Sequence, residues 1–264
     1  MQIRRFVFSL LLIFLAGSPS IAGPSKDKED PALQKPIPIL LYHRFGLEVA
    51  DRMTVRTAVF ESHLKFLEEN GHPVVSLRRL VDRRVNGKVP FVPGSVVITV
   101  DDGHKSVYTD MLPLIKKYQV PVTLFLYPSA ISNAPYAMTW DQLREMKETG
   151  LFDFQSHTYW HPNFKKDREK LRPTEYEQSV EMQLRKSKVR LEKELNTRVE
   201  MLAWPFGIWD EWLIRKADEA GYHATLTMER RHARASDNRM ALPRYLLTSG
   251  DGEKAFERIL GRKD

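Results

Sequence analysis

Short apolar segments alternate with amphipathic helical patterns along the chain from residue 37 onward. Residues 96–100 are all β-branched and only Thr99 is polar, which predicts a strand buried on both faces of a parallel sheet. Similar runs predict strands at 37–42, 122–126, 151–155, 199–204 and 222–227. The segment 242–245 offers another strand end, so about seven strands are predicted.

Helical patterns fill the intervals between these strands. One helix is predicted to begin at Thr57 and to stop at Gly71. Thr139 and Gln142 form a capping box at the start of another helix. Pro173 suits the first turn of a longer helix. The apolar stripe of that helix consists of Tyr176, Val180, Leu184, Leu191 and Leu195.

The regular alternation of strand and helix predicts an α/β fold around a parallel sheet, either open or closed into a barrel. The 264 residues suit one large domain, since α/β barrels commonly form a single core of this size. In both arrangements, functional residues are expected just after the carboxyl ends of the strands.

The first residues are predicted to lie outside the fold. Arg4 and Arg5 precede an apolar run at 6–16, and small residues lead up to a cleavage position after Ala22. This pattern predicts a signal peptide at 1–22 and a periplasmic or secreted protein. The alternative is an N-terminal membrane anchor, but the apolar run is shorter than the roughly 20 residues of a spanning helix.

Composition and charge narrow the class of protein. Residues 23–36 are rich in charge and proline and are predicted to be an exposed linker, which leaves 37–264 as the folded domain. Lys and Arg number 41 against 34 Asp and Glu, a balance that favours anionic surfaces or polymers as neighbours. Export argues against nucleic acid as a partner, and no membrane span is expected after signal cleavage. The chain has no cysteine, so its stability is expected to come from the core rather than from disulfides.

Polar side chains cluster at the predicted strand ends. Asp101 and Asp102 directly follow one strand, and adjacent carboxylates repel each other unless a cation or a proton separates their roles. Taken alone, the pair would favour an ordinary role, in which one carboxylate caps the next helix and the other is solvated. His157 and His161 follow another strand, and with one carboxylate they form a set of two histidines and one carboxylate that can bind a metal. Because both pairs are expected at one sheet edge, the metal site is the favoured interpretation.

Three segments resemble, in order and spacing, the first three motifs of the polysaccharide deacetylases. They are Ile-Thr-Val-Asp-Asp-Gly at 98–103, Ser-His-Thr-Tyr-Trp-His at 156–161 and Ala-Trp-Pro-Phe-Gly at 203–207. These metal-dependent carbohydrate esterases are related to the nodulation-factor, chitin-oligosaccharide and peptidoglycan deacetylases. The opening Leu-Leu-Tyr-His at 40–43 is similar to the branch that contains poly-N-acetylglucosamine deacetylases. The resemblance implies a distorted (β/α)7 barrel.

The resemblance also implies roles for the residues at the strand ends. Asp101 matches the catalytic base of the family, while Asp102, His157 and His161 match its metal ligands. A divalent ion, with zinc as the first candidate, would polarise a water and the amide carbonyl of an N-acetyl group. One carboxylate must stay off the metal to accept the proton of that water.

The third segment is expected to contact the substrate. Phe206 matches the position whose backbone N–H helps to hold the oxyanion, and Pro205 and Gly207 are expected to shape its loop. Trp204, like the other tryptophans and tyrosines near these motifs, would stack on a sugar ring or pack in the core.

Two elements of the family pattern are missing. Ala203 stands where many relatives have an arginine that orients the base. Arg244 is the candidate substitute, with a surface arginine as the alternative. The C-terminal Leu-x-His that carries the general acid is also missing. His43 is the candidate replacement, since histidine titrates near pH 6.5; it would otherwise be a buried structural histidine, and His104 is the next candidate.

These features together predict an exported, monomeric, metal-dependent N-deacetylase of a polysaccharide similar to poly-N-acetylglucosamine. A peptidoglycan deacetylase or an O-acetyl polysaccharide esterase is the nearest alternative. The two missing elements leave a third interpretation open, a catalytically weak carbohydrate-binding protein.

Overall fold

The computed structural model describes residues 36–86 and 94–261. The predicted signal peptide at 1–22 and all of the linker except Pro36 lie outside the described residues, so both stay predictions. The strands are β1 (Ile39–Tyr42), β2 (Arg44–Gly46), β3 (Thr54–Arg56), β4 (Val97–Asp102), β5 (Val122–Leu126), β6 (Phe152–Ser156), β7 (Met201–Ala203), β8 (Ala224–Leu226) and β9 (Tyr245–Leu246). The α-helices are α1 (Thr57–Glu69), α2 (Leu77–Asn86), α3 (Leu112–Tyr118), α4 (Trp140–Glu148), α5 (Phe164–Lys170), α6 (Pro173–Leu195), α7 (Glu211–Glu219) and α8 (Glu253–Leu260).

Seven of these strands form one sheet in the order β8-β7-β6-β5-β4-β1-β9, and every neighbouring pair is parallel. The short strands β2 and β3 pair separately. The α/β class predicted from the sequence is confirmed, and the seven predicted strands are those of the main sheet, whereas β2 and β3 were not predicted. Parallel strands bring their carboxyl ends to one edge, which is where this fold class places its sites.

The segment 242–246 connects the two edges of the curled sheet. The Thr227 N–H, just after β8, donates to the Leu242 carbonyl at 2.8 Å. Three residues later, Tyr245 begins β9, which pairs with β1 at the opposite edge. The sheet therefore forms a distorted barrel, and Arg244 lies in the middle of the segment that joins its edges.

Buried apolar side chains form two clusters, as expected when alternate residues of a strand face opposite sides. One cluster joins Leu40, Ile98 and Leu124 of the strands to the helices around the sheet. The other contains Ile39 and Val97, the neighbours of those residues along their strands, and lies on the concave face. The prediction of strands buried on both faces is thus confirmed for β4.

β5 has the predicted bounds, 122–126, and the ends of the other predicted strands differ from the observed ones by at most three residues. β4 continues to Asp102, since Asp101 and Asp102 still pair with Phe125 and Leu126 of β5. The two carboxylates are therefore the last residues of the strand rather than the first residues after it. The capping box at Thr139 is confirmed, as are the start of α6 at Pro173 and its buried stripe. None of the helices in the described ranges is both long and apolar enough to cross a membrane.

Candidate active site

Asp102, His157 and His161 converge at the carboxyl ends of β4 and β6. One ligand atom from each lies within 4.8 Å of the others. The Asp102 Oδ1 atom is 3.6 Å from the Nε2 atom of His157 and 3.6 Å from that of His161. Tetrahedral ligands about 2.1 Å from a zinc ion are themselves about 3.4 Å apart. The three side chains therefore have the spacing and the chemistry of a divalent-metal site.

The ring of His157 is oriented by a contact on the side away from this cluster. Its Nδ1 donates to the Ala203 carbonyl at 2.8 Å, which leaves the Nε2 lone pair directed toward Asp102. Burial lowers the pKa of His157 to about 3, against the opposing charge of Asp101. The imidazole is therefore neutral at physiological pH, the form that can bind a cation.

The backbone around the cluster is held in an uncommon conformation. Positive φ angles occur at Asp102 (75°), Thr158 (66°), His161 (61°) and Phe206 (57°). Left-handed backbone costs of order 1–3 kcal/mol for residues other than glycine and concentrates at functional sites. The surrounding structure must therefore hold these residues in place.

Asp101 lies beside this cluster but is bound to a different partner. It is 1% exposed, and its two carboxylate oxygens each accept a hydrogen bond of 2.8 Å from Arg244. Burial alone would raise the pKa of Asp101, but the charges of Arg244 and His157 lower it to about 2. Asp101 is consequently an ionised carboxylate, fixed 3.8 Å from the Nε2 atom of His157.

Arg244 is fully buried, which corrects the alternative of a surface arginine. Its Nε donates to the Thr227 carbonyl at 3.0 Å, and its Nη1 also contacts the Thr99 hydroxyl at 3.3 Å. The residue precedes β9 rather than ending a strand, so the predicted strand end at this position was wrong. The long side chain of Arg244 reaches Asp101, so it can orient this carboxylate although Ala203 replaces the arginine of many relatives.

His43 follows β1, the strand next to β4 on the side away from β6. It is 7% exposed, and its Nδ1 atom has no hydrogen-bond partner among the described residues. Burial lowers the pKa of His43, while the charges of Asp101 and Asp102 act in the opposite direction. His43 therefore approaches the carboxylate pair from the side opposite the two histidine ligands.

His104, the other histidine near the Asp pair, is already engaged. Its Nδ1 atom is 2.8 Å from the Ser106 hydroxyl, and its ring stacks on Tyr136 with centroids 6.4 Å apart. These contacts make it a less available proton donor than His43.

The loop Pro205–Gly207 lies next to the histidine cluster. The rings of Phe206 and His161 are 4.6 Å apart, and Phe206 is 56% exposed. Gly207 adopts φ 66°, and a Cβ atom there would lie 3.0 Å from the Cβ of Met228. Glycine is therefore required to bring this loop close to the irregular segment that follows β8.

Trp204 is fully buried, and its indole N–H donates to the Thr225 hydroxyl at 2.9 Å. Its ring packs edge-on against Phe164 with centroids 5.9 Å apart. The predicted substrate contact at Trp204 is therefore corrected to a core role, since no face of the indole is exposed to a sugar.

Aromatic side chains form part of the surface around the site. Trp160, Tyr136 and Phe206 are 49%, 43% and 56% exposed. Tyr127 contacts both the site and this surface, with its ring 5.3 Å from that of His161 and its hydroxyl 2.8 Å from that of Tyr136. Tyr127 and Tyr136 were not predicted as site residues, although Tyr127 directly follows the predicted strand 122–126, where site residues are expected.

Comparison with known proteins agrees with this geometry. Residues 88–225 match the model of the polysaccharide deacetylase family. The chain belongs to this family. The poly-β-1,6-N-acetyl-D-glucosamine N-deacetylase of Staphylococcus aureus (strain MRSA252) is 26% identical over 215 residues, which cover 80% of this chain and 72% of that protein.

Solved structures of other deacetylases share the fold. The Streptococcus pyogenes deacetylase PplD, in complex with acetate, has a TM-score of 0.75 at 23% identity, covering 86% of this chain and 99% of PplD. IcaB from Ammonifex degensii has a TM-score of 0.73 at 23% identity, covering 85% of this chain and 95% of IcaB. The (β/α)7 deacetylase fold implied by the sequence motifs is thereby confirmed, and the chain is a polysaccharide deacetylase enzyme.

Proposed function

We propose that this polysaccharide deacetylase is an exported, metal-dependent enzyme that removes N-acetyl groups from a polymer similar to poly-N-acetylglucosamine. The substrate named for the Staphylococcus aureus relative supports the polymer class, and the predicted signal peptide supports export. The observation that carries the proposal is the different environment of two adjacent carboxylates. Asp102 faces the histidine pair, whereas Asp101 is held by Arg244.

Asp102, His157 and His161 would hold the cation. A divalent ion in such a set, with zinc as the first candidate, lowers the pKa of a water to roughly 7 and polarises a carbonyl oxygen. Asp101 accepts the proton that the attacking water loses, because Arg244 holds it close to the cluster without making it a ligand. The low pKa of Asp101 keeps this base ionised throughout the neutral range.

The remaining steps use groups on either side of the carboxylates. The backbone N–H of Phe206 donates to the acetyl oxygen as negative charge develops there. His43 donates a proton to the amide nitrogen as the carbon–nitrogen bond breaks, so that acetate and a free amino sugar are released. The exposed rings of Trp160 and Tyr136 offer apolar faces for the neighbouring sugar units.

Acetate release from poly-N-acetylglucosamine oligomers, measured with and without a chelator, tests this function. The Asp101→Asn variant is expected to lose about 100-fold or more of the activity while elemental analysis still finds its metal. His157→Ala and His161→Ala are expected to lose the metal as well. Retained turnover in Asp101→Asn would show that Asp101 has only a structural role. Loss of metal from this variant would show that Asp101 is the metal ligand and Asp102 the catalytic base.

The same assay measures substrate preference. Faster acetate release from peptidoglycan or from an O-acetylated polysaccharide would contradict the proposed polymer while leaving the roles of the residues intact. Binding of the polymer without any acetate release would contradict the catalytic proposal itself.

A further inference from the structure

One buried side chain of α6 holds the loop that carries both histidine ligands. Gln183 is fully buried, and its Oε1 atom accepts hydrogen bonds of 3.0 Å each from the backbone N–H groups of Tyr159 and Trp160. These two residues lie between His157 and His161 in the chain. Gln183 therefore fixes the middle of the loop whose ends present the two Nε2 atoms.

The other N–H groups of this loop have acceptors within the loop or on the strands that precede it. His157 donates to the Leu126 carbonyl at 2.8 Å, Thr158 donates to the Ser156 hydroxyl at 3.1 Å, and His161 donates to the Thr158 hydroxyl at 3.2 Å. Gln183, in contrast, comes from a helix. The contact thus connects the histidine loop to the layer of helices outside the sheet.

The two ends of the Gln183 amide have different environments. Its Nε2 atom has no hydrogen-bond partner among the residues that the structure describes. The two backbone donors fix the amide orientation, since only the oxygen can accept from them. An unsatisfied buried amide nitrogen is unfavourable, whereas leucine would suit a buried face that contains five apolar residues. The acceptor atom is therefore the part of this side chain that the site requires.

We propose that Gln183 is a positioning residue for the metal site, which holds His157 and His161 in their ligand geometry before any cation binds. The left-handed conformations of Thr158 and His161 make this restraint necessary, because an unrestrained loop would relax from them. The inference rests on the proposed function, since it concerns the same cation site. Partners that orient metal ligands typically contribute 10–100-fold to metal affinity.

Three variants of the metal-free and the zinc-loaded protein test this role. Gln183→Met keeps the volume and removes the acceptor, while Gln183→Glu keeps the acceptor oxygen and replaces the unpartnered nitrogen by a second oxygen, which restores both hydrogen bonds at the cost of a buried acidic group. Gln155→Met is the matched control. Gln155 is equally buried, and its Oε1 atom also accepts two backbone N–H groups, those of Glu200 and Met201. Its Nε2 atom donates to Asp153 and to the Arg198 carbonyl, so this variant removes more hydrogen bonds than Gln183→Met but none to the histidine loop.

The dissociation constant for zinc and hydrogen–deuterium exchange of the peptide 157–162 in the metal-free state are the readouts. Gln183→Met is expected to weaken zinc binding about 10–100-fold and to accelerate exchange, Gln183→Glu to stay within a few-fold of the wild type, and Gln155→Met to change neither. Unchanged zinc affinity and exchange in Gln183→Met would overturn the proposal, as would equal losses in Gln155→Met. A wild type that binds no divalent metal would refute the proposed function, and the exchange data alone would then decide whether Gln183 holds the loop.

Discussion

Adjacent residues of one strand have opposite electrostatic environments in this site. Successive side chains of a strand point to opposite faces, so Asp101 meets Arg244 while Asp102 meets the histidines. The pKa of Asp101 is lowered by its arginine, whereas burial raises that of Asp102. The sequence predicted the carboxylate pair and its division of roles. It left the role of Arg244 open, since this partner is 143 residues away and no periodic pattern connects the two.

His43 is the residue for which the predicted role has the most specific test. Expulsion of an amine requires protonation of the nitrogen, whereas an activated aryl acetate releases its phenolate without a proton. His43→Ala is therefore expected to reduce turnover of N-acetyl substrates about 10²-fold or more, and turnover of the aryl acetate far less. Initial rates on both substrates, with the zinc content of each preparation measured, give the comparison.

His104→Ala is the control for this prediction, because His104 is near the carboxylates but bound to Ser106. It is expected to retain most of its activity on both substrates. Equal losses on both substrates in His43→Ala would indicate a structural or substrate-positioning role. Unchanged turnover in His43→Ala would indicate that His104, not His43, is the proton donor.

The buried face of helix α6 shows what the pattern of apolar and polar positions in one element can predict. The apolar stripe of α6 is found as expected, but the same buried face also contains Gln183 and Ser187. Ser187 contacts the Ser156 hydroxyl at 2.8 Å, at the start of the histidine loop. Two polar residues at stripe positions were the available signal that this helix supports a site. Their partners could not be predicted, since those lie 24 and 31 residues earlier in the chain.

Helix α1 contains a titratable group that is expected to make stability depend on pH. His63 is 1% exposed, stacks on Phe256 of α8 at 3.9 Å, and contacts the Tyr42 hydroxyl through Nδ1 at 3.0 Å. Burial lowers its pKa to about 4. Between this value and its unfolded pKa of about 6.5 the unfolded state binds more protons, so stability falls as the pH falls through that window.

Denaturant unfolding at several pH values measures this dependence. His63→Gln is expected to be less stable than the wild type at neutral pH, because it loses the stacked ring. Between pH 6.5 and pH 4, however, its free energy of unfolding should fall by up to about 3 kcal/mol less than that of the wild type. An unchanged slope in His63→Gln would contradict the assignment of the acid sensitivity to this residue.

For the molecule as a whole, the class of fold was easier to predict than the closure of the barrel. Six apolar runs and the helices between them indicated the parallel sheet. The segment 242–246 joins the edges through only a few backbone hydrogen bonds, and so short a strand leaves no periodic signal. The aromatic surface around Tyr127 was missed for a related reason: its members come from separate loops.

Metal binding is expected to affect the stability of the whole barrel, because Asp102 ends β4 while His157 and His161 follow β6, two strands away. A ligand that binds only the folded state adds about 2.7 kcal/mol at 100 times its dissociation constant. Without metal, the ionised carboxylate of Asp102 is unfavourable in the folded protein, since burial and the charge of Asp101 both raise its pKa. Asp102→Asn should therefore raise the melting temperature of the metal-free protein and abolish the increase caused by zinc.

Asparagine suits this test because it tolerates the left-handed backbone of Asp102 as well as aspartate does. Calorimetry with chelator and with zinc gives the four melting temperatures that are needed. His161→Ala is the matched control, since it should also lose the response to zinc but keeps the partly buried Asp102 carboxylate and so gains no stability without metal. A metal-free Asp102→Asn protein that melts below the wild type would show that this carboxylate stabilises the fold. It would contradict the view that Asp102 lowers the stability of the metal-free protein in return for cation binding.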